Sequence, residues 1–206
     1  MKYNAKVVDN FMPAKMWQEF KTYIKQELNN GGWRHAHNDY QELDILNLGA
    51  GQKLAVGTEA NFKLEKNDDM FYKPLSAEWK DRIVQFMIDK KYWTRKPKEG
   101  STFHLHVLWP LTSTKYHLDQ DAAATFYINE DWDYNWGGQL IWKHINDTVG
   151  EYLEIRPNRI IFLKNDVEHN VTTTTAMEAD KRLTIQMFFD ADIYNPDLFT
   201  EAGVVQ

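Results

Sequence analysis

The second half of the chain is a succession of short β-rich runs separated by turn residues, and this pattern limits the fold more than any other feature. Two amphipathic segments with helical spacing come before it. Short strands that follow helices in this way are typical of two packed sheets with the helices on the outside. We therefore predict a mostly β fold, a jelly roll with N-terminal helices packed on one sheet. The predicted runs are 101–109, 114–119, 122–129, 138–144, 151–155, 159–164, 169–173 and 182–190.

The first hundred residues predict helical support for that β region. An apolar stripe recurs every three or four residues after Pro13, and Gly31 and Gly32 end it. Ser76 is placed to cap a second helix. The two stripes consist of Met16, Trp17, Phe20, Tyr23, Ile24 and Leu28, and of Trp79, Ile83, Phe86 and Met87. The other predicted elements are short strands at 6–8 and 43–48 and a polar loop over 61–75.

Length and composition favour one soluble globular domain. The 206 residues carry a formal charge of −6, which offers no basic surface for nucleic acid. Cysteine is absent, so any bound metal must be held by histidine and carboxylate groups. No run of about eighteen apolar residues occurs, so we expect no membrane partner and a cytoplasmic location. We expect a single domain over 1–206, with helical support and substrate-side loops in 1–100 and the β core in 101–190.

His117 and Asp119 are the strongest candidates for metal ligands. Side chains two apart on an extended chain point the same way, so these two would share a face, with Leu118 buried behind them. An imidazole beside a carboxylate supplies two ligands of the 2-His-1-carboxylate triad found in non-haem iron oxygenases. His169 is a candidate for the third ligand. Arg182 is a candidate cation for an acidic cosubstrate, because a buried guanidinium needs an anion.

Two other histidine pairs are weaker candidates. His35 and His37 lie in a stretch rich in Gly, Trp and Asn, which favours a surface loop. His104 and His106 share one face of a predicted strand and could bind metal or line a pocket. No acidic residue follows them at ligand spacing, which argues against metal binding.

The residues after His117 and Asp119 resemble the prolyl 4-hydroxylase type of 2-oxoglutarate- and Fe(II)-dependent oxygenase. The similarity covers residues 101–190 well and 6–28 loosely, whereas 30–100 carries no motif of that family. The segment Thr125-Phe126-Tyr127-Ile128-Asn129-Glu130-Asp131-Trp132, followed by Gly137-Gly138-Gln139-Leu140, is similar to the family signature T-x-x-Y-L-N-x-D-W and G-G-x-L. It stands a short way downstream of the H-x-D pair, as it does in the family.

This resemblance implies a fold, a set of cofactors and a set of site residues. The implied fold is a double-stranded β-helix, the cupin-like form of the jelly roll. The implied cofactors are Fe(II), the cosubstrate 2-oxoglutarate and O2, with ascorbate as a candidate reductant. The implied roles are iron ligation by His117, Asp119 and His169, contact with the distal end of 2-oxoglutarate by Arg182 and Tyr127, and pocket lining by Leu140 and Gln186.

The implied activity is hydroxylation of an unactivated C–H bond with release of succinate and CO2. The expected substrate is a prolyl residue in a peptide or protein. Two alternatives stay open: a hydroxylase of a free amino acid or other small molecule, and a non-catalytic cupin-like module that binds a metal or another ligand. Asp119 argues against a halogenase, in which a small residue frees a position for halide. Loops 30–75 and 130–137 are expected to shape the substrate side. The candidates for a wall of the site are Trp93, Trp109, Trp132, Trp136 and Trp142, although a tryptophan is more often simply part of a core.

The chain also departs from the family pattern. The interval from His169 to Arg182 is a few residues longer than usual, which predicts a longer hairpin and leaves both Lys181 and Arg182 as candidates for the inward cation. Alternation along the strand favours Arg182, because Lys181 would share the face of the apolar residues. The strand over 103–110 offers no clear match for the tyrosine that the family usually has there.

Overall fold

The computed structural model describes residues 4–35, 38–43, 70–114, 116–119, 121–174 and 181–200. In chain order its strands and helices are β1 (Ala5–Val8), α1 (Ala14–Asn29), β2 (Trp33–His35), β3 (Asn38–Leu43), β4 (Met70–Pro74), α2 (Ala77–Asp89), β5 (Thr102–Leu108), β6 (Ala122–Tyr127), β7 (Leu140–His144), β8 (Glu151–Leu153), β9 (Arg159–Leu163), β10 (Val167–Val171) and β11 (Arg182–Phe189). Short 3-10 helices lie at Tyr134–Trp136, Ala191–Ile193 and Pro196–Phe199.

The strands form two antiparallel sheets. The large sheet has the order β1-β9-β6-β11-β5-β4-β2-β3, and the small sheet has the order β10-β7-β8. Several neighbours, such as β1 with β9 and β6 with β11, come from distant parts of the chain, as they do in a jelly roll. The predicted fold, mostly β with flanking helices, is therefore confirmed.

An apolar layer joins the two sheets face to face. The large sheet contributes Tyr127 and Ile161 to this layer, and the small sheet contributes Leu140 and Trp142. Side chains alternate between the faces of a strand, so the residues of β6 and β11 that share the face of Tyr127 also point towards the small sheet. The space between the sheets is therefore where a site can form.

The two helices pack on the outer face of the large sheet, as predicted. α1 buries Trp17, Phe20 and Ile24, which join Phe126 of β6 in one core. α2 begins after Ser76, whose side chain accepts a hydrogen bond from the amide of Trp79 at 3.3 Å. Neither of these described helices is long and apolar enough to cross a membrane.

The loop predicted over 61–75 is wrong for its last part, because Met70–Pro74 forms strand β4 beside β5. Phe71 is fully buried and provides the apolar contact that holds this short strand on the sheet. The acidic residues directly before Met70 hid the short alternation in the sequence. Residues 61–69 lie outside the described residues.

The surface loop predicted around His35 is also wrong. Trp33–His35 is strand β2, which pairs with β3 and β4. Trp33 is fully buried, and this burial outweighs the loop-like composition around it. His37 and residues 44–48 of the predicted strand lie outside the described residues.

The strand predicted over 114–119 is reduced to one bridge between His117 and His169 of β10. Leu118 was expected to be buried, but it is 42% exposed. The segment lies at the edge of the small sheet, so a side chain that points away from the large sheet reaches solvent. The other predicted runs correspond to β5, β6, β7, β8, β9, β10 and β11, with ends that differ by at most two residues.

Candidate active site

The backbone bridge between His117 and His169 brings two of the predicted ligands together. The amide of each residue donates to the carbonyl of the other, with N to O distances of 3.0 Å. Asp119 lies two residues beyond His117 and points to the same side, as the alternation of an extended chain requires. The local backbone thus brings the two histidines together.

The ligand atoms of His117, Asp119 and His169 all lie within 4.8 Å of one another. One carboxylate oxygen of Asp119 is 3.7 Å from Nε2 of His117, and the other is 3.5 Å from Nε2 of His169. The two imidazole rings are 4.4 Å apart between centroids. Three groups that converge in this way on one side of a common point can bind one face of an octahedral metal ion.

The surroundings of His169 favour the form that a metal needs. Nδ1 of His169 lies 3.1 Å from the carbonyl oxygen of Val167, which can accept a hydrogen bond from Nδ1–H. In that tautomer Nε2, which faces Asp119, carries the free lone pair. Burial lowers the pKa of His169, although the charge of Asp119 opposes this. Burial also raises the pKa of Asp119, although His169 and His117 oppose this. A bound cation would favour the neutral imidazole of His169 and the ionised carboxylate of Asp119 together, because both groups can bind it at the same point.

The triad opens into a cavity of about 370 Å³ between the two sheets. The large sheet contributes Met70, His106, Thr125, Gln186 and Phe188 to its lining. Further lining residues are Leu140 and Val171 of the small sheet and Thr112, Ser113 and Thr114 of the segment before His117. The predicted pocket positions Leu140 and Gln186 therefore both line this cavity. A larger depression of about 510 Å³ around Ile141 and Tyr152 includes none of the three candidate ligands.

Arg182 begins β11 and is almost completely buried, with 3% of its surface exposed. Nε of Arg182 donates to the carbonyl of Gly138 at 3.0 Å, but Nη2 is buried without a hydrogen-bond partner in the described part of the chain. No carboxylate among the described residues forms an ion pair with it. Burial of the guanidinium lowers the pKa of Arg182, although the neighbouring Tyr127 opposes this.

Tyr127 is the neighbour of this cation. Its ring lies 5.3 Å from the guanidinium carbon of Arg182, and its hydroxyl is buried without a hydrogen-bond partner among the described residues. Burial raises the pKa of Tyr127, although the charge of Arg182 opposes this. Two unsatisfied polar groups thus lie side by side on strands that also contribute Thr125 and Gln186 to the cavity, although the cavity lining includes neither Arg182 nor Tyr127. This is the arrangement expected where a dianionic ligand such as 2-oxoglutarate is to be held, so the residues fit the implied cosubstrate.

The other candidate residues of the sequence, Lys181, His104 and His106, lie outside the triad. Arg182 points inward, whereas Nζ of Lys181 lies 4.7 Å from the ring centre of Trp109, as the alternation along the strand predicts. His106 lines the cavity with its ring 6.0 Å from that of His104, and neither belongs to the triad. Burial lowers the pKa of both, that of His106 to about 3.

The expected aromatic wall is wrong. None of the five tryptophans lines the cavity, because most of them serve the two apolar cores. Trp93 packs in the core under the helices, and Trp142 packs between the sheets. The two loops expected on the substrate side also contribute little: Met70 is the one described residue of 30–75 in the lining, and 130–137 contributes none.

The sequence analysis missed Thr125 and the 112–114 segment as lining residues. The Thr125 hydroxyl lies 2.8 Å from the side-chain oxygen of Gln186, and both residues face the cavity. Thr125 stands two positions before Tyr127, so alternation along β6 was a signal that could have identified it. The 112–114 segment carries no comparable periodic signal.

Comparisons with known proteins agree with this geometry. The chain superposes on a prolyl-4-hydroxylase of Pseudomonas putida with a TM-score of 0.58 and 15% identity, over 91% of this chain and 92% of that one. It superposes on a prolyl hydroxylase of Trichoplax adhaerens, solved with a peptide fragment of the hypoxia inducible factor oxygen degradation domain, with a TM-score of 0.63 and 12% identity, over 98% and 88%.

The same fold occurs in an enzyme of another kind. The non-heme alpha ketoglutarate dependent epimerase SnoN from nogalamycin biosynthesis matches with a TM-score of 0.58 and 10% identity, over 92% of this chain and 79% of that one. No curated protein matches the chain in sequence. The model of the 2OG-Fe(II) oxygenase superfamily, however, matches residues 23–190. The chain therefore belongs to the 2OG-Fe(II) oxygenase superfamily, whose members use Fe(II), 2-oxoglutarate and O2.

Proposed function

We propose that this oxygenase hydroxylates an unactivated C–H bond, and that its substrate is a prolyl residue in a peptide or protein. The observation that carries the proposal is the convergence of His117, Asp119 and His169 in one protein that also buries Arg182 without an acidic partner among its described residues. In this assignment the three residues hold Fe(II), which supplies the O2 chemistry that side chains cannot perform.

The charges of the proposed site balance. Asp119 offsets one of the two positive charges of the metal, and the histidines add none while they are neutral. A 2-oxoglutarate dianion is then met by the remaining metal charge at its keto acid end and by Arg182 at its distal carboxylate. Because Arg182 has no acidic partner among the described residues, the ligand and no side chain completes its ion pair.

In this assignment Tyr127 and Gln186 also contact the ligand. The hydroxyl of Tyr127 is placed to donate to the same carboxylate as Arg182, because both unsatisfied groups lie together. Gln186 lies on β11 between Arg182 and Phe188, and its side chain lines the cavity. Its side chain is oriented by Thr125. The apolar lining from Leu140 and Val171 excludes water from the ligand.

The proposed prolyl substrate is supported by the similar folds and by the exposure of the triad. Two of the similar folds belong to prolyl hydroxylases, one of which was solved with a peptide fragment. The side chain of His117 is 46% exposed, so the triad is accessible to a large substrate from the solvent side. A free amino acid or other small molecule is the main alternative substrate.

The decisive experiment measures 2-oxoglutarate turnover by the Fe(II)-loaded chain in the presence of proline-containing peptides and of free amino acids. Stimulated succinate release with a peptide mass gain of one oxygen on proline is the expected result. A mass gain on a free amino acid alone would move the proposal to the small-molecule alternative. Succinate release with no mass change in a chiral substrate would indicate epimerisation, and no succinate under any condition would exclude the oxygenase activity.

A further inference from the structure

We propose that Asn129 is a positioning residue for the cosubstrate, because it fixes the backbone on both sides of Arg182. The inference deepens the proposed function and rests on its assignment of Arg182 to the distal carboxylate of 2-oxoglutarate. Asn129 itself does not line the cavity in the described structure. It would act on the ligand through the guanidinium.

The side chain of Asn129 makes one hydrogen bond to each neighbour of Arg182. Its Oδ1 accepts from the amide of Leu183 at 2.7 Å, and its Nδ2 donates to the carbonyl of Lys181 at 2.8 Å. Asn129 is 7% exposed, so these bonds are shielded from water. One planar amide with a donor and an acceptor is the group that can hold both partners at once.

The position in the sheet explains why this contact is needed. The pairing of β6 with β11 ends at Tyr127 and Thr184, so Arg182 lies beyond the last regular pair. The amide of Ile128 still reaches the carbonyl of Leu183 at 3.2 Å, and the side chain of Asn129 then takes over from the backbone ladder. Without it, the start of β11 would be held on one side by β5 alone.

A second contact fixes the side chain of Arg182. Its Nε donates to the carbonyl of Gly138, and the neighbouring carbonyl of Gly137 accepts from the indole of Trp132 at 3.1 Å. Three parts of the T-x-x-Y-L-N-x-D-W and G-G signature thus support one guanidinium: Gly138 bonds it directly, Asn129 holds the backbone beside it, and Trp132 bonds the neighbouring Gly137. With the backbone and Nε held in this way, Nη2 stays without a hydrogen-bond partner among the described residues, and in the proposed function it is the group that binds the ligand.

Orientation matters for this ligand because a guanidinium binds a carboxylate through two parallel hydrogen bonds in one plane. A small rotation of the strand end would break one of the two bonds. A keto acid without a distal carboxylate does not use this contact, so it provides a selective probe. A general structural role of Asn129 would instead weaken both ligands alike or affect only stability.

The structure offers a matched control. Asn158 is 8% exposed, and its side chain also bridges backbone groups: Oδ1 accepts from the amide of Met12 and Nδ2 donates to the Met12 carbonyl, both at 2.8 Å. It lies at the entry to α1 and contacts neither Arg182 nor Gly138. Asn158 also has a left-handed backbone (φ 57°), so its replacement is expected to destabilise the protein at least as much as replacement of Asn129.

The test compares the dissociation constants of 2-oxoglutarate and 2-oxopentanoate, which lacks the distal carboxylate, by calorimetry on the Mn(II)-loaded full chain. The variants are Asn129→Ala, Asn158→Ala, Arg182→Ala and the double variant of Asn129 and Arg182. We expect Asn129→Ala to raise the dissociation constant of 2-oxoglutarate by about tenfold or more and to change that of 2-oxopentanoate by less than about twofold. Asn158→Ala should lower Tm and leave both constants near those of the wild type.

The double variant should bind 2-oxoglutarate no more weakly than Arg182→Ala does. Unchanged 2-oxoglutarate binding in Asn129→Ala, or equal weakening of both ligands, would overturn the role of Asn129 while Arg182→Ala still showed its selective loss. Loss of that selectivity in Arg182→Ala would overturn the proposed assignment of Arg182 and this inference with it. If Asn129→Ala does not fold, Asn129→Asp retains the acceptor for Leu183, lacks the donor for Lys181 and is expected to show the same selective weakening.

Discussion

His117 and His169 are joined by two backbone hydrogen bonds of 3.0 Å, and their rings lie 4.4 Å apart on the same side of that bridge. The bridge connects β10 to a segment that belongs to no regular strand. Two metal ligands can therefore be held in place before any metal binds. This reduces the conformational entropy that metal binding must overcome.

Replacement of either histidine should remove metal binding from a folded protein. We expect His117→Ala and His169→Ala each to weaken Fe(II) or Co(II) binding by more than about a hundredfold and to abolish succinate formation, because two remaining ligands no longer define a facial site. Calorimetry and circular dichroism would measure affinity and folding. His104→Ala is the matched control, because it removes a histidine that contacts His106 and lies outside the triad. Full activity in either triad variant would exclude this site.

Arg182→Ala should chiefly weaken binding of the cosubstrate. Loss of a buried charge-assisted contact is expected to raise the KM for 2-oxoglutarate by about thirtyfold or more, with little change in the affinity for metal. Arg182→Lys should recover only part of this, because an ammonium cannot form two coplanar hydrogen bonds. Arg95→Ala, which removes a surface ion pair with Asp190, is the control. An unchanged KM in Arg182→Ala would show that another cation binds the cosubstrate.

The two glycines of the turn before β7 should differ in their tolerance of alanine. Both have positive φ, 76° at Gly137 and 73° at Gly138. A Cβ at Gly137 would lie 2.1 Å from the backbone oxygen of Thr173, whereas one at Gly138 would lie 3.2 Å from Cδ of Arg182. Gly137→Ala should therefore cost more than about 2 kcal/mol of stability, and Gly138→Ala about 1–2 kcal/mol. Urea unfolding would measure both.

The control for this series is Gly31→Ala, because a Cβ there meets no atom within 4 Å. Gly138→Ala carries a second expectation, since its clash falls on the side chain of Arg182 and should also weaken 2-oxoglutarate. A Gly137→Ala variant as stable as Gly31→Ala would contradict the described turn.

His106 should make the metal-free protein less stable as the pH falls. Its pKa is lowered to about 3 by burial, against about 6.5 for an unfolded histidine. Between these values the unfolded chain binds a proton at this position that the folded chain does not, so stability rises with pH and is lost below about pH 6.5. The slope from this residue approaches about 1.4 kcal/mol per pH unit. Comparison of wild type and His106→Gln by urea unfolding at pH 5 and pH 7 would isolate it, and equal slopes would show that His106 titrates normally.

Local sequence signals predicted the elements that have strong periodicity or a strong cap. The stripe of Trp17, Phe20 and Ile24 and the cap at Ser76 led to the two helices, and alternation along β11 identified Arg182 as the inward cation. The inference from Leu118 failed because alternation states which face a residue takes and not whether a layer covers that face. The outer face of the Leu118 segment is open to solvent, as the exposure of Leu118 shows.

Long-range contacts account for what the sequence did not predict. β4 and β2 are strands because Phe71 and Trp33 are buried against the large sheet, and this burial cannot be seen in the polar residues beside them. The tryptophans were expected at the site because they are large and numerous. Most of them fill the cores under the helices and between the sheets, where their size contributes most to the area buried.

The clamp of Asn129 on β11 has a consequence for how this chain tolerates change in length. Arg182 is held in register by Asn129, which bonds Lys181 and Leu183, and by β5 through regular pairing, and none of these contacts involves residues 172–180 of the connection that follows β10. Residues can therefore be added to or removed from that connection without a shift of the guanidinium relative to the triad. The longer interval between His169 and Arg182 in this chain is compatible with an unchanged active-site spacing for this reason, and the same connection is a rational position for inserting a reporter peptide.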